Sequence, residues 1–331
     1  MKQAAFFNRG NIFTPDAVYG AGRRERIEQL TDLYPTVISL DNFAEHVPHL
    51  RDLEVIFSTW GMPVLGDDQL DQLPALRAVF YAAGSVQGFA RPLLERGITV
   101  VSAWAANGIP VAEFTLAQIL LATKGYFRNV RDCASADRRK RAFRGAGNYC
   151  ETVAILGAGQ IGRKLIELLR PFNLPVIVYD PFLTEVEAHR LGVEKVSLEA
   201  AFARAYVVTN HMPNLPETRG ILNGHLFANL RDDATFINTG RGATVAEAEL
   251  VEVWRQRPSL TALLDVTDPE PPPPGSPLYE LPNVHLSGHI AGSIGDEVHR
   301  LADFCIEEFI AWQAGRPLRY AVSLEMLETM A

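Results

Sequence analysis

The sequence predicts an α/β protein made of two doubly wound parallel-sheet domains, and three observations carry that expectation. A strand, a glycine turn, a helix, a second strand and a terminal acid follow one another without interruption over residues 152–180. Short β-branched apolar runs alternate with helical stretches on both sides of that segment. The chain has 331 residues, 47% hydrophobic and 21% charged, which suits two globular domains with ordinary cores.

The central segment begins with Val153, Ala154, Ile155 and Leu156, an apolar run without polar alternation, as a strand buried on both faces requires. Gly157, Gly159 and Gly162 follow at G-x-G-x-x-G spacing. The first permits the strand-to-helix turn, the second admits a pyrophosphate close to the backbone, and the third lets the helix lie on the strand. Gln160 and Ile161 open the helix, whose unpaired N–H groups and positive dipole end favour a diphosphate. The next strand, 176–179, ends on Asp180, which suits a ribose hydroxyl and repels a 2′-phosphate, so NAD is expected over NADP.

Before this segment, Thr14 and Pro15 read as a helix start, 53–59 as a strand, 67–73 as a helix, and 76–82 and 98–101 as strands. The small-residue loop 82–88 follows one of these strands, and Ala83, Gly84 and Ser85 can aim successive N–H groups at a carboxylate. The break at 107–110 precedes a long helical run, 111–131, and is the expected crossing between domains. Beyond Asp180, strands are expected at 206–209, 235–238, 260–264 and 284–286, with a helix over 245–257. Ligands of doubly wound sheets bind beyond the carboxyl ends of the strands. The residues found there are His211, then Thr239, Gly240 and Arg241, then Asp265 and Glu270, and finally His289 with Ala291 and Gly292.

Composition narrows the function classes. A net charge of −8 argues against nucleic acid or an anionic membrane surface as the main partner, and the basic cluster Arg138 to Arg144 reads as a solvated face or subunit contact. Cys133, Cys150 and Cys305 form no metal-ligand or disulfide pattern, so no metal is expected. No hydrophobic run approaches the length of a membrane span and the N-terminal stretch 1–11 lacks a signal core, so a cytoplasmic location is expected.

With these motifs assembled, the chain resembles the D-isomer-specific 2-hydroxyacid dehydrogenases. The resemblance rests on GAGQIG at 157–162, YDP at 179–181, HMPNLPETRG at 211–220, INTGRG at 237–242, DVTDPEP at 265–271 and GHIAG at 288–292. It implies a Rossmann cofactor domain, 109–299, inserted into a flavodoxin-like substrate domain, 1–108 with 300–331. It also implies a homodimer and a small 2-oxo or 2-hydroxy acid substrate. Arg241 would hold the substrate carboxylate and polarise its carbonyl, His289 would be the acid/base, and Glu270 would pair with it. Pro213, Thr218 and Asp265 would lie near the cofactor with His211, Thr239, Gly240, Ala291 and Gly292. Ala83, Gly84, Ser85 and Asn107 would face the substrate.

Physics supports these roles. Hydride arriving at a carbonyl carbon places charge on the oxygen, so a proton donor and a fixed cation there lower the barrier. An arginine fork also matches a carboxylate better than a lysine does. Two other readings remain: an NAD-binding regulatory scaffold resembling the family's corepressors, and a phosphite dehydrogenase on the same framework.

Overall fold

The computed structural model describes residues 1–10 and 14–328. Residue 11 of the N-terminal stretch and the last three residues of the expected 300–331 return lie outside the described residues. The chain divides into two compact units, Met1–Gly108 with Ser293–Ala331, and Ile109–Gly292. The return to the first unit therefore begins at Ser293, whereas the sequence places it at residue 300. The physical reason is local: the Ser293 N–H donates to Asn107 Oδ1 at 3.0 Å, fastening the chain before the helix Val298–Gln313 starts.

In the first unit the chain lays down β1 (Gln3–Phe7), β2 (Asp32–Leu33), β3 (Leu53–Ser58), β4 (Ala78–Tyr81) and β5 (Thr99–Ser102). The second unit contributes β6 (Val153–Leu156), β7 (Val176–Tyr179), β8 (Glu194–Lys195), β9 (Val207–Asn210), β10 (Thr235–Asn238), β11 (Thr261–Leu264) and β12 (Val284–Leu286). A final short strand, β13 (Ala321–Val322), belongs to the first unit again.

The first sheet runs β13-β5-β4-β3-β1-β2, parallel except for β13, which pairs antiparallel with β5. Read from the other edge, its parallel strands follow the 2-1-3-4-5 order of flavodoxin-like sheets. Apolar clusters cover both faces. One gathers Phe7, Ile56, Val79 and Leu93; the other joins Phe6, Phe57 and Phe80 to Leu301, Ile306 and Phe309 of the C-terminal helix.

The second sheet runs β12-β11-β10-β9-β6-β7-β8, parallel throughout. Its order reverses beside β6, which has β7 on one side and β9 on the other, so the ligand crevice of a doubly wound sheet lies beyond the ends of β6 and β9. Phe202, Phe227, Phe236 and Trp254 fill one face, and Ile119, Ile155, Leu165, Val178 and Ile237 the other.

The helix after β5 starts earlier than its sequence suggests, at Trp104, and runs to Thr123. Pro110 lies inside it, removing only the N–H that would have reached the Ala106 carbonyl. The expected run to residue 131 is cut at Gly125, which takes φ +69° and where a Cβ would sit 2.6 Å from the Gly145 nitrogen. A separate helix, Tyr126–Asp132, follows. By length and composition the helix Trp104–Thr123 could cross a bilayer, with a mean hydropathy of 1.3 and 44% of that window buried. This corrects the expectation that no run reaches such a length, since Asn107, Gly108 and Pro110 disguise a continuous helix.

Candidate active site

The glycine turn after β6 is built by sterics. Gly157 takes φ +95°, and a Cβ on Gly162 would lie 2.0 Å from the Gly157 carbonyl oxygen, so only glycine lets the helix Gln160–Leu169 start this close to the strand. Gly159 is the N-cap and supplies no side-chain acceptor, which leaves first-turn N–H groups of Gln160 and Ile161 without an intrahelical partner. A Cβ at Gly159 would meet nothing within 4 Å, so the backbone is approachable there. This arrangement fits a dinucleotide: backbone donors and a dipole end for the diphosphate, and a carboxylate on the neighbouring strand.

That carboxylate is Asp180, and backbone N–H groups surround it. Its Oδ2 accepts from the Ala158 N–H at 2.7 Å, and Oδ1 accepts from Phe182 and Leu183 N–H at 2.8 and 3.1 Å. Asp180 thus ties the end of β7 to the glycine turn itself. Arg163 braces the same turn by donating from Nε to the Ala158 carbonyl at 2.8 Å.

Beyond β9, His211 is held by a chain of hydroxyls. Thr115 Oγ1 donates to the Val111 carbonyl at 2.8 Å, so it must accept from Thr239 Oγ1, 3.2 Å away. With its proton spent, Thr239 accepts from His211 Nδ1 at 3.3 Å, and His211 Nε2 is left to accept from Thr209 Oγ1 at 3.0 Å. This fixes the neutral tautomer protonated at Nδ1. Burial pushes the imidazole down to about 3, so it stays neutral at physiological pH. Thr115 carries no motif, and only the structure reveals it. Pro213 and Thr218 close the next loop on themselves, with Thr218 Oγ1 donating to the Pro213 carbonyl at 2.6 Å.

Arg241 follows β10 in the turn 239–242. Gly240 donates to Asn238 Oδ1 at 3.1 Å, and a Cβ on Gly242 would lie 2.0 Å from the Thr267 carbonyl carbon. The turn is therefore pressed onto the segment after β11. The Arg241 guanidinium donates to the Gly240 carbonyl at 2.8 Å and, among the described residues, forms no ion pair. Burial holds it below its ordinary value, and the charge of Glu270 opposes that effect.

Glu270 and His289 meet directly, with His289 Nδ1 2.8 Å from Glu270 Oε1. Both side chains remain accessible, His289 at 52% and Glu270 at 41% exposure, so the pair is reachable from solvent. A carboxylate without a proton only accepts, so opposite it Nδ1 carries the hydrogen of this bond and Nε2 lies on the far side of the ring. His289 has a left-handed backbone, φ +55°. Asp265, expected beside the nicotinamide, is 2% exposed and directs its carboxylate at the backbone of this loop, including the Ala291 N–H at 2.9 Å. Ser287 donates to the same carboxylate at 2.6 Å. The sequence reading missed it, although it stands at the end of β12, where ligand-side residues collect.

In the first unit, Ser102 Oγ donates to the Ala83 and Gly84 carbonyls at 3.0 and 2.6 Å, which turns the loop after β4. Among the described residues, the N–H groups of Gly84, Ser85 and Val86 have no backbone partner. Asn107 lies against this loop, its Nδ2 3.2 Å from where a Gly84 Cβ would be, while its Oδ1 is committed to Ser293. No cluster of metal-ligating side chains occurs among the described residues.

Comparison with known proteins places these features in a family. Residues 116–291 match the family model "D-isomer specific 2-hydroxyacid dehydrogenase, NAD binding domain". D-3-phosphoglycerate dehydrogenase of Archaeoglobus fulgidus is 31% identical over 234 residues, 71% of this chain and 44% of that protein. The Bacillus subtilis enzyme of the same name is 31% identical over 230 residues, 70% of this chain and 44% of that protein. The chain thus spans under half the length of these curated relatives. Among solved structures, the TT0316 protein of Thermus thermophilus is 26% identical with a TM-score of 0.73, covering 96% of this chain and 99% of that one. The D-mandelate dehydrogenase of Rhodotorula graminis shares the fold at a TM-score of 0.80 and 19% identity, covering 98% of both chains. With the glycine turn, the two doubly wound sheets and more than half the chain matched by the family's cofactor domain, the protein belongs to the D-isomer-specific 2-hydroxyacid dehydrogenases.

Proposed function

We propose that the protein is an NAD(H)-dependent oxidoreductase that interconverts a small 2-oxo acid and its D-2-hydroxy acid. The observation that carries this reading is the His289–Glu270 pair, joined at 2.8 Å, beside a desolvated Arg241 guanidinium with no ion-pair partner among the described residues. A desolvated cation of that kind favours an anionic ligand, and a planar fork favours a carboxylate.

NADH bound at the glycine turn supplies the hydride. Gln160 and Ile161 N–H groups bind the diphosphate, Asp180 the adenosine ribose, and Gly157, Gly159 and Gly162 keep the backbone close. The side chains of Pro213, Thr218, Thr239 and Asp265, with Gly240, Ala291 and Gly292, shape the rest of the cofactor site, and neutral His211 packs there without exchanging protons. Arg241 holds the substrate carboxylate and stabilises charge building on the carbonyl oxygen. His289 delivers the proton from Nε2 to that oxygen, while Glu270 keeps the ring oriented and balances the imidazolium. Substrate carbonyl, hydride and one proton give the secondary alcohol; the reverse direction returns the proton to His289. In the first unit by itself, the N–H groups of Gly84 and Ser85, behind Ala83, and the Asn107 amide are donors suited to an anionic group.

The test is His289→Ala. NADH binding is expected to persist within a few-fold, while kcat for 2-oxo acid reduction falls by about two decades or more. Undiminished turnover in that variant would overturn the assignment.

A further inference from the structure

Two carboxylates and an arginine frame the glycine turn around Ala158. The Ala158 N–H donates to Asp180 Oδ2 at 2.7 Å, and the Ala158 carbonyl accepts from Arg163 Nε at 2.8 Å. Arg163 is thus fastened to the same residue as Asp180, at the corner where NAD carries a ribose hydroxyl and NADP a phosphate. A guanidinium fork is what a 2′-phosphate seeks. This one is already taken: Arg163 Nη2 donates to Glu187 Oε1 at 3.1 Å, in the first turn of the helix Glu185–Leu191 that follows β7. Glu187 is itself held in place. Its Oε2 accepts from the Thr184 N–H and Oγ1 at 3.2 and 3.0 Å, and its own N–H donates to Thr184 Oγ1 at 3.2 Å, a reciprocal cap that aims the carboxylate at Arg163. The Thr184 bonds, and then Arg163, hold its carboxyl below the ordinary range, so it is charged at neutral pH. The Arg163 and Glu187 side chains are 41% and 35% exposed, so an anion in solution can reach the guanidinium.

We propose that Glu187 is a second determinant of cofactor choice: by occupying the Arg163 guanidinium it withholds the cation that braces the glycine turn from an adenosine 2′-phosphate. The inference rests on the reading of Asp180 as the ribose acceptor and adds to it a lock on the neighbouring arginine. NAD is then selected twice, by Asp180, which repels the phosphate, and by Glu187, which disarms the arginine that would receive it. The two devices separate experimentally, because Glu187 touches neither the Ala158 N–H nor the Asp180 carboxylate among the described contacts.

The experiment measures Kd values for NADH and NADPH, and for the adenosine-end fragments 5′-AMP and adenosine 2′,5′-bisphosphate, on wild type, Glu187→Gln, Arg163→Gln and the double variant. Glutamine keeps the cap with Thr184 and the shape of the side chain while removing its charge. In Glu187→Gln, NADPH and the bisphosphate are expected to bind about five- to tenfold more tightly, with NADH and 5′-AMP within about twofold of wild type. The gain shrinks as salt is raised, as an exposed ion pair requires. In the Arg163→Gln background, Glu187→Gln changes the NADPH/NADH ratio by less than about twofold, since no guanidinium is left to release. Should Glu187→Gln fail to fold, Glu187→Ala, which keeps the backbone side of the Thr184 cap, is expected to show the same gain.

An unchanged NADPH/NADH ratio of Kd values once the Glu187 charge is gone would overturn the lock. So would an equal gain with Arg163 absent, which hands the phosphate to Lys195, bonded to the Leu183 carbonyl of this loop at 2.6 Å, or to bulk charge alone. Wild type that binds neither dinucleotide is a different failure, that of the cofactor reading itself. It brings the lock down with it and is distinguishable because no variant enters the measurement.

Discussion

His211 provides a quantitative test of the second unit's internal wiring. Its ring is desolvated, held between Thr209 and Thr239, and shifted from 6.5 to about 3. The unfolded chain protonates this imidazole as pH drops through its ordinary range, whereas the native state refuses the proton until about 3. Stability is therefore unaffected above the unfolded value and lost progressively as pH falls towards the folded one. With those two values the loss is about 2 kcal/mol at pH 5 and about 3 kcal/mol at pH 4. Because the residue as a whole retains partial exposure, water relieves part of the desolvation, and about half of that is the expected size. For a domain of this length 1 kcal/mol corresponds to about 2–4 °C in Tm. The assay is Tm against pH for wild type and His211→Gln, whose amide can still reach a threonine hydroxyl but cannot titrate. The gap between the two curves is expected to shift in favour of the variant as pH falls from 7 to 4. Parallel curves would refute the buried neutral imidazole.

Three further outcomes follow from the geometry. Gly162→Ala places a Cβ 2.0 Å from a backbone oxygen that no side chain can vacate, so NADH affinity is expected to fall by more than about tenfold with a loss of thermal stability; equilibrium fluorescence titration of NADH reads the former and a melt the latter. Glu270→Ala removes an accessible partner worth at most about 1 kcal/mol, so Tm stays nearly fixed while kcat drops by about tenfold or more; a matching loss of stability would show that the pair is structural. Asp180→Ala frees the Ala158, Phe182 and Leu183 N–H groups as well as the ribose site, so NADH binding weakens and discrimination against NADPH relaxes; an unchanged NADH/NADPH ratio of Kd values would remove Asp180 from selection.

The readable and unreadable parts of this protein divide by physics. Strands β6, β9, β10 and β11 are legible because each is a short run buried at every position, and β7 and β12, only partly buried, because they continue the same strand–helix alternation; the strand ends then nominate His211, Arg241, Asp265 and His289 by rule. The two-residue strands β2, β8 and β13 are not legible, since so few residues carry no periodicity and are fixed by what they pair with. The helix Trp104–Thr123 hides its first turns because Asn, Gly and Pro locally signal a break that tertiary packing overrides. The glycine spacing shows that Gly162 matters, but not that it must admit the Gly157 carbonyl at van der Waals limits. Least visible are the long-range polar links: Thr115 to Thr239, 124 positions apart, and Ser287 to Asp265 are ordinary hydroxyls until the fold aims them.

The most direct measurement is NADH oxidation against a panel of 2-oxo acids, glyoxylate, hydroxypyruvate, pyruvate, phenylpyruvate, 2-oxoisocaproate and phosphohydroxypyruvate, with wild type and Arg241→Ala in parallel. The account predicts turnover of at least one acid, lost by about two decades or more in the variant while NADH still binds. Binding of NADH without turnover of any acid, or turnover indifferent to Arg241, would contradict it.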